Sequence, residues 1–293
     1  MSTAGQLIDR VVGELLAGTV EERNKIASPV GASDTTLTVT YPVGGLREGT
    51  VFEVGTEQMY IWTANSSSKT LTVERGFNGT TAATHDSGAI TTVSPRFPRA
   101  RVLDQLNADL ADLSSPLNGL FRMQTVDISY NGSDRMVNLT GVTDMLDLYD
   151  VRYRYLSDDY PVLRNVRLLR DMPTGDFASG FALSIDDYIR AGTLRVLYKA
   201  AYSSFTSEAS TVAAVGGSDY LDDLLVVGAQ MRLMAGREIK RNFTESQGDT
   251  RRPEEVQSGA VANSMIQLQR IRRDRITAEA ARLNRQYPIR IRK

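Results

Sequence analysis

Apolar residues recur at helical spacing at the start of the chain. Leu7, Ile8, Val11, Val12, Leu15 and Leu16 are interleaved with Asp9, Arg10 and Glu14, which predicts an amphipathic helix over residues 4–17. The period then falls to two. Residues 36–41 alternate as TLTVTY, and residues 51–54, 58–63 and 70–74 follow, each bounded by Gly, Pro, Asn or Ser. This pattern predicts short antiparallel strands in a small barrel or sandwich. Helical spacing returns through Val102, Leu103, Leu106, Leu110 and Leu113, and Ser114, Ser115 and Pro116 stop it.

A second β-rich stretch begins near residue 121. Residues 124–130 and 136–139 flank Asn131, Gly132, Ser133 and Asp134, a turn sequence that predicts a hairpin. Strands over 148–156, 166–169, 180–185 and 194–200 complete an antiparallel sandwich. Beyond a small-residue linker, Ser218 is placed to cap a helix. Asp219, Asp222 and Asp223 open that helix, and Arg237, Lys240 and Arg241 close it. After a polar break at 244–252, Pro253 suits the start of a last helix, with Val261, Met265, Leu268, Ile271 and Leu283 as its apolar side. Pro288 ends this helix and leaves a tail, Ile289, Arg290, Ile291, Arg292 and Lys293. Its alternation suits a strand laid on the edge of another protein's sheet.

The divisions expected are therefore 1–27 (helix), 28–98 (β-module), 99–120 (connecting helix), 121–206 (sandwich), 207–288 (helical region) and 289–293 (extended tail). A chain of 293 residues, 41% of them hydrophobic, can bury more than one core. Cysteine is absent, so disulfides and thiolate metal sites are excluded. The first residues lack the basic and apolar regions of a signal peptide, and no stretch has the length of uncharged apolar residues that spans a bilayer.

The net charge of −1 conceals an asymmetry. Residues 101–190 hold 9 basic and 14 acidic side chains, a balance of −5, whereas residues 232–293 hold 15 and 7, a balance of +8. Within the basic region, Arg270, Arg272, Arg273 and Arg275 surround most of a helix turn. Inter-subunit or partner contact, a solvated face and binding to a DNA backbone all fit them. Base reading does not, because only Tyr287 is near for stacking and no DNA-reading motif is present.

Catalytic chemistry finds little footing. His85 is the single histidine and lies in a Thr-His-Asp-Ser-Gly turn, where a structural hydrogen-bonding role is expected. No Gly-x-Ser-x-Gly elbow, P-loop ending or Gly-x-Gly-x-x-Gly run occurs. Asp144, Asp147, Asp150, Asp158 and Asp159 crowd one region without EF-hand spacing, so solvated positions are expected there. Trp62, with Tyr60 and Phe77 nearby, fits core packing or a sugar-stacking platform, with the core as the expected use. No catalytic residue, cofactor or metal site is assigned.

Residues 71–90, LTVERGFNGTTAATHDSGAI, together with the strand before them, carry a likeness. Strand, Arg-Gly, Asn-Gly-Thr, Ala-Ala, a lone His and Ser-Gly-Ala resemble a short β-module of tailed-bacteriophage virion proteins, particularly siphovirus-like head-to-tail adaptors. The likeness covers residues 28–98. It implies a helical ring-forming core, and with the two antiparallel β-domains read from the strand pattern as insertions the expected class is α+β; in those extra β-domains the chain departs from the smallest adaptors. It also implies a structural part of the phage neck, assembled in the host bacterial cytoplasm, that forms a ring of twelve copies beneath the portal through which DNA passes. The implied partners are the portal protein, neighbouring copies, a downstream neck or tail protein and, non-specifically, the DNA in the lumen. No membrane is involved. Residues 218–241 and 253–286 would form the ring, and residues 289–293 would grip a partner. The alternative is a tail-tip or baseplate component whose β-module touches the host surface.

Overall fold

The computed structural model describes residues 1–154, 160–235 and 260–288. Contacts divide the chain into two compact units, Met1–Asp109 with Ser204–Arg272, and Leu110–Ser203 with Arg273–Lys293.

In the first unit, helix α1 (Ala4–Leu16) opens with a capping box. The Thr3 hydroxyl accepts from the Gln6 N–H, and the Gln6 side chain accepts from the Thr3 N–H. The helix buries Leu7, Ile8 and Val11 and packs on α3 (Asp222–Ala235). Six strands follow α1: β1 (Arg23–Lys25), β2 (Thr36–Thr38), β3 (Val51–Val54), β4 (Glu57–Asn65), β5 (Thr70–Glu74) and β6 (Ile90–Val93). They form one antiparallel sheet in the order β1-β6-β3-β4-β5-β2. Just beyond β1 and β2, Ile26 bridges Val39, and bonds from Ala27 N–H to the Thr38 carbonyl and from Thr40 N–H to the Lys25 carbonyl join the two edges. The sheet thus curls into a small barrel around Phe52, Met59, Ile61 and Leu71, all inaccessible to solvent.

Helix α2 (Arg99–Leu113) comes next, stopped before Ser114 as expected, and the division between the units falls within it. The second unit holds β7 (Arg122–Tyr130), β8 (Met136–Asn138), β9 (Met145–Arg154), β10 (Val166–Leu169), β11 (Ala182–Ile185) and β12 (Gly192–Ala200). They form two three-stranded antiparallel sheets, β10-β11-β8 and β7-β12-β9. Both contribute to one apolar cluster, Val137, Leu183 and Ile185 from the first and Val151, Leu194 and Val196 from the second.

Three expectations need correction. The hairpin around residues 131–134 does not form. Asn131 does turn the chain by accepting from the Ser133 and Asp134 N–H groups, but β7 pairs with β12 and β8 with β11, so the turn carries the chain from one sheet to the other. Ser218 gives no side-chain cap. Its hydroxyl is buried without a hydrogen-bond partner, and a single 3₁₀ turn (Asp219–Leu221) precedes α3. Arg237, Lys240, Arg241 and Pro253 lie outside the described residues.

The third correction concerns fold class. A helical ring-forming core with inserted β-domains is not what the chain builds. It is a mixed α/β protein of mostly antiparallel sheets, with four helices among the described residues, the last being α4 (Ala260–Gln286). The physical reason lies in what the helices bury. Helices α1, α2 and α3 each bury one apolar side, as Leu7 and Ile8, Leu106 and Leu110, and Leu224 and Leu225 show, and α4 buries Ile276 and Leu283, whereas the barrel and sandwich interiors each hold a contiguous apolar cluster of their own.

Candidate functional site

The segment that carries the family likeness converges on one carboxylate. Glu57, at the start of β4, is 1% exposed. Arg75 grips it with two bonds, Nε to Oε1 at 2.7 Å and Nη2 to Oε2 at 2.8 Å. The Gly76 and Ala83 N–H groups donate to it at 3.2 and 3.0 Å, and His85 Nε2 lies 2.7 Å from Oε2. Burial alone would raise the Glu57 pKa. The bonds from Arg75 and His85, then those from Ala83 and Gly76, outweigh that and lower it to about 2. An ionised carboxylate only accepts, so His85 Nε2 carries the hydrogen and donates it.

Arg75 also donates to the carbonyls of Gly31, Asp34 and Ala83, tying two loops to β4. The Arg-Gly pair follows from this geometry. Gly76 has φ of 63°, and a Cβ there would stand 2.8 Å from the Thr80 carbonyl oxygen. His85 is therefore a structural donor, as its turn suggested, while Glu57 went unrecognised. The signal was available, since a buried Arg and a lone His in one small module call for a shared anion.

An open cleft of about 1130 Å³ lies beside this network, lined among others by Asp9, Glu53, His85, Arg99 and Glu208. Glu53 on β3 is 4% exposed and accepts from the backbone N–H of Arg99, the first residue of α2, at 2.8 Å. The Arg99 guanidinium forks onto Glu208 at 2.8 Å twice and reaches Asp9 at 2.6 Å. Burial pushes the Glu53 carboxyl up to about 7, against the lowering pull of Arg99; Glu21 and Glu208 add smaller upward pushes. These groups form ion pairs and a helix cap that tie α1, β3 and α2 together.

The arginines expected to meet a partner divide. Arg270, Arg273 and Arg275 are exposed on α4, whereas Arg272 turns inward and donates to Asp109 at 2.8 Å. Arg232 on α3 stands 3.6 Å from the same carboxylate. A Cβ on Gly228 would fall 2.1 Å from Asp109 Oδ2, so a mid-helix glycine there makes room for the acid. The inward side of α4 runs through Met265, Leu268, Arg272, Ile276, Glu279, Leu283 and Tyr287, and the expected member Ile271 is 43% exposed. Residues 289–293 lie outside the described residues.

Of the acidic group, Asp144 pairs with Arg122 at 2.6 Å and Asp150 with Arg152 at 3.1 Å; Asp158 and Asp159 lie outside the described residues. Among the described residues no cluster of three or more His, Cys, Asp or Glu is arranged to hold a metal, and no helix is long and apolar enough to cross a membrane. Trp62 departs from its expected core position. A bulge between Ile61 and Thr63 turns it outward, 56% exposed, edge-on to Tyr60 at 4.9 Å. No protein-family model matches the chain, and no curated protein matches it.

Proposed function

We propose that this chain is a structural virion protein of the phage neck, a head-to-tail adaptor that assembles with copies of itself beneath the portal and passes DNA through the ring. The observation that carries this reading is the Glu57 network. The residues that give the module its likeness to adaptors (Arg75, Gly76 and His85) act as a buried rivet that holds loops in shape, which suits a part whose work is to keep its form. The exposed Arg270, Arg273 and Arg275 are the groups for partner contact, with the portal protein, a neighbouring copy or a downstream neck protein on the other side. Arg272 belongs to the interior.

Co-expression with the portal protein of the same particle tests this. A stable complex containing rings in electron micrographs is expected, weakened by Arg273→Glu with Arg275→Glu in a chain that stays folded. Portal protein that never retains the chain contradicts it. One observation favours a second reading, a tail-tip component that touches the host surface: Trp62 and Tyr60 present an aromatic pair toward solvent, the kind of surface that stacks on sugars. Glycan binding lost in Trp62→Ala would support that reading.

A further inference from the structure

Strand β7 ends its sheet with a long open edge. It pairs with β12 over nine residues without a register shift, and among the described residues the backbone groups on its other side have no partner. The opposite end of the sheet is covered. Along β9, Arg152 bridges Val162, the Tyr153 N–H donates to the Pro161 carbonyl, and the Leu163 N–H donates to the Val151 carbonyl. The edges of the facing sheet, β10 and β8, are four and three residues long. A long edge without proline, lysine or bulge is the kind that accepts another strand.

The side chains of β7 agree. Val126 and Ile128 face the core yet are only half-buried, whereas Leu194 and Val196 on the adjacent β12 are fully buried. A further strand beyond β7 would finish covering them. On the other face Thr125, Asp127 and Ser129 are exposed, and Asp127 is held by Arg195.

We infer that this edge receives Ile289, Arg290, Ile291, Arg292 and Lys293 of a neighbouring copy as an added antiparallel strand. Charge and apolar spacing select this occupant. The tail alternates with the same period of two as the edge. In one register Ile289 lies beside Ile128 and Ile291 beside Val126, extending the core, while Arg290 lies beside Asp127 and Arg292 beside Thr125 on the solvent face. Antiparallel pairing is the more stable arrangement per residue. Because tail and edge are different surfaces, the contact is head-to-tail. It adds copies in one direction and closes into a ring where the rotation permits, so five-residue strands that are weak singly are strengthened by closure. The inference rests on the reading that copies of this chain assemble with one another.

The chain contains no cysteine, so single cysteines report cleanly. Full-length Thr125→Cys and Arg292→Cys chains, mixed under mild oxidation, are expected to yield a mixed disulfide dimer, at least several-fold above that from Ser129→Cys with Arg292→Cys. Absence of the mixed dimer, or preference for Ser129, overturns the register. Sedimentation of the unmodified chain and of one lacking residues 289–293 provides a second measure that does not depend on substituting β7. At least a tenfold loss of self-association is expected on deletion, and unchanged association overturns the contact. A chain that fails to cross-link yet is found at the neck removes this contact alone. One that cross-links but is found elsewhere in the particle removes the neck reading alone.

Discussion

The barrel of the first unit and the sandwich of the second are each built from six antiparallel strands among the described residues, but they treat their edges differently. In the barrel, the Ile26–Val39 bridge joins the two edge strands, and an anion, Glu57, is placed inside with five donors around it. In the sandwich, one end of a sheet is covered by residues 161–163 and the other end is open along β7 among the described residues; Asp127 and Arg195 form a fork stacked on Tyr160, while Asp150 on β9 is buried beside Arg152. A closed sheet has no unmet backbone groups and keeps its shape unaided. An open edge retains capacity for a partner strand. The closed sheet of the first unit thus suits a scaffold, and the open edge of the second is the one that the inferred tail contact would use.

The largest effect should come from breaking the barrel's interior charge. Glu57→Ala leaves Arg75 buried without its partner, and removal of one member of a buried pair typically costs about 3–5 kcal/mol. Trp62, the only tryptophan, lies in this sheet, so its fluorescence during denaturant unfolding reports the loss directly. A midpoint unchanged from the parent would mean that the barrel does not depend on its rivet.

A smaller effect is expected from pH, and the two carboxylates act in opposite windows. The Glu57 pKa lies at about 2, below its ordinary value of 4.5, so its contribution is present above about pH 4.5 and is lost as pH falls toward 2. The Glu53 pKa is raised to about 7, so its contribution is complete below about pH 4.5 and is lost as pH rises through 7. Glu53→Gln keeps an acceptor for the Arg99 N–H and removes the charge. It should stabilise the unit by about 2 kcal/mol at pH 8 and flatten the decline between pH 5 and 8. A decline that persists in this variant would locate the titration elsewhere.

The smallest stability effect sharpens the contrast from the other side. Thr125→Lys puts a cation on the exposed face of β7, where substitution changes folding by less than about 0.5 kcal/mol. Against the tail it would face Arg292, so unfolding should be unaltered while self-association falls. Association at parental strength would show that the edge is not in use.

Much of the barrel was legible because β2 and β5 alternate and turn residues bound β3 and β4, and α1 because its stripe is uninterrupted. The errors arose where local chemistry leaves the partner unspecified. Asn131 and Gly132 encode a reversal but not which strand β8 meets. On α4, Met265, Leu268 and Leu283 face inward as the apolar spacing suggested, but Ile271 faces outward and Arg272 and Glu279 take inward positions that the spacing did not mark. Asp109 lies three residues beyond Leu106 on the buried side of α2, and that inward acid was the available sign that an arginine elsewhere must turn in to meet it. The helical ring core was carried over from the family likeness, and the described residues instead place their contiguous apolar clusters inside the barrel and the sandwich. At the site, Arg75, Gly76 and His85 stood out as a pattern, but Glu57 looked like an ordinary turn residue until the loops brought their donors to it.

Immunogold electron microscopy of intact and gently opened particles, with antibody against this chain, tests the proposed structural place at the head-to-tail junction. Gold concentrated at the neck is the predicted result. Gold at the tail tip, or particles that carry none, would contradict it.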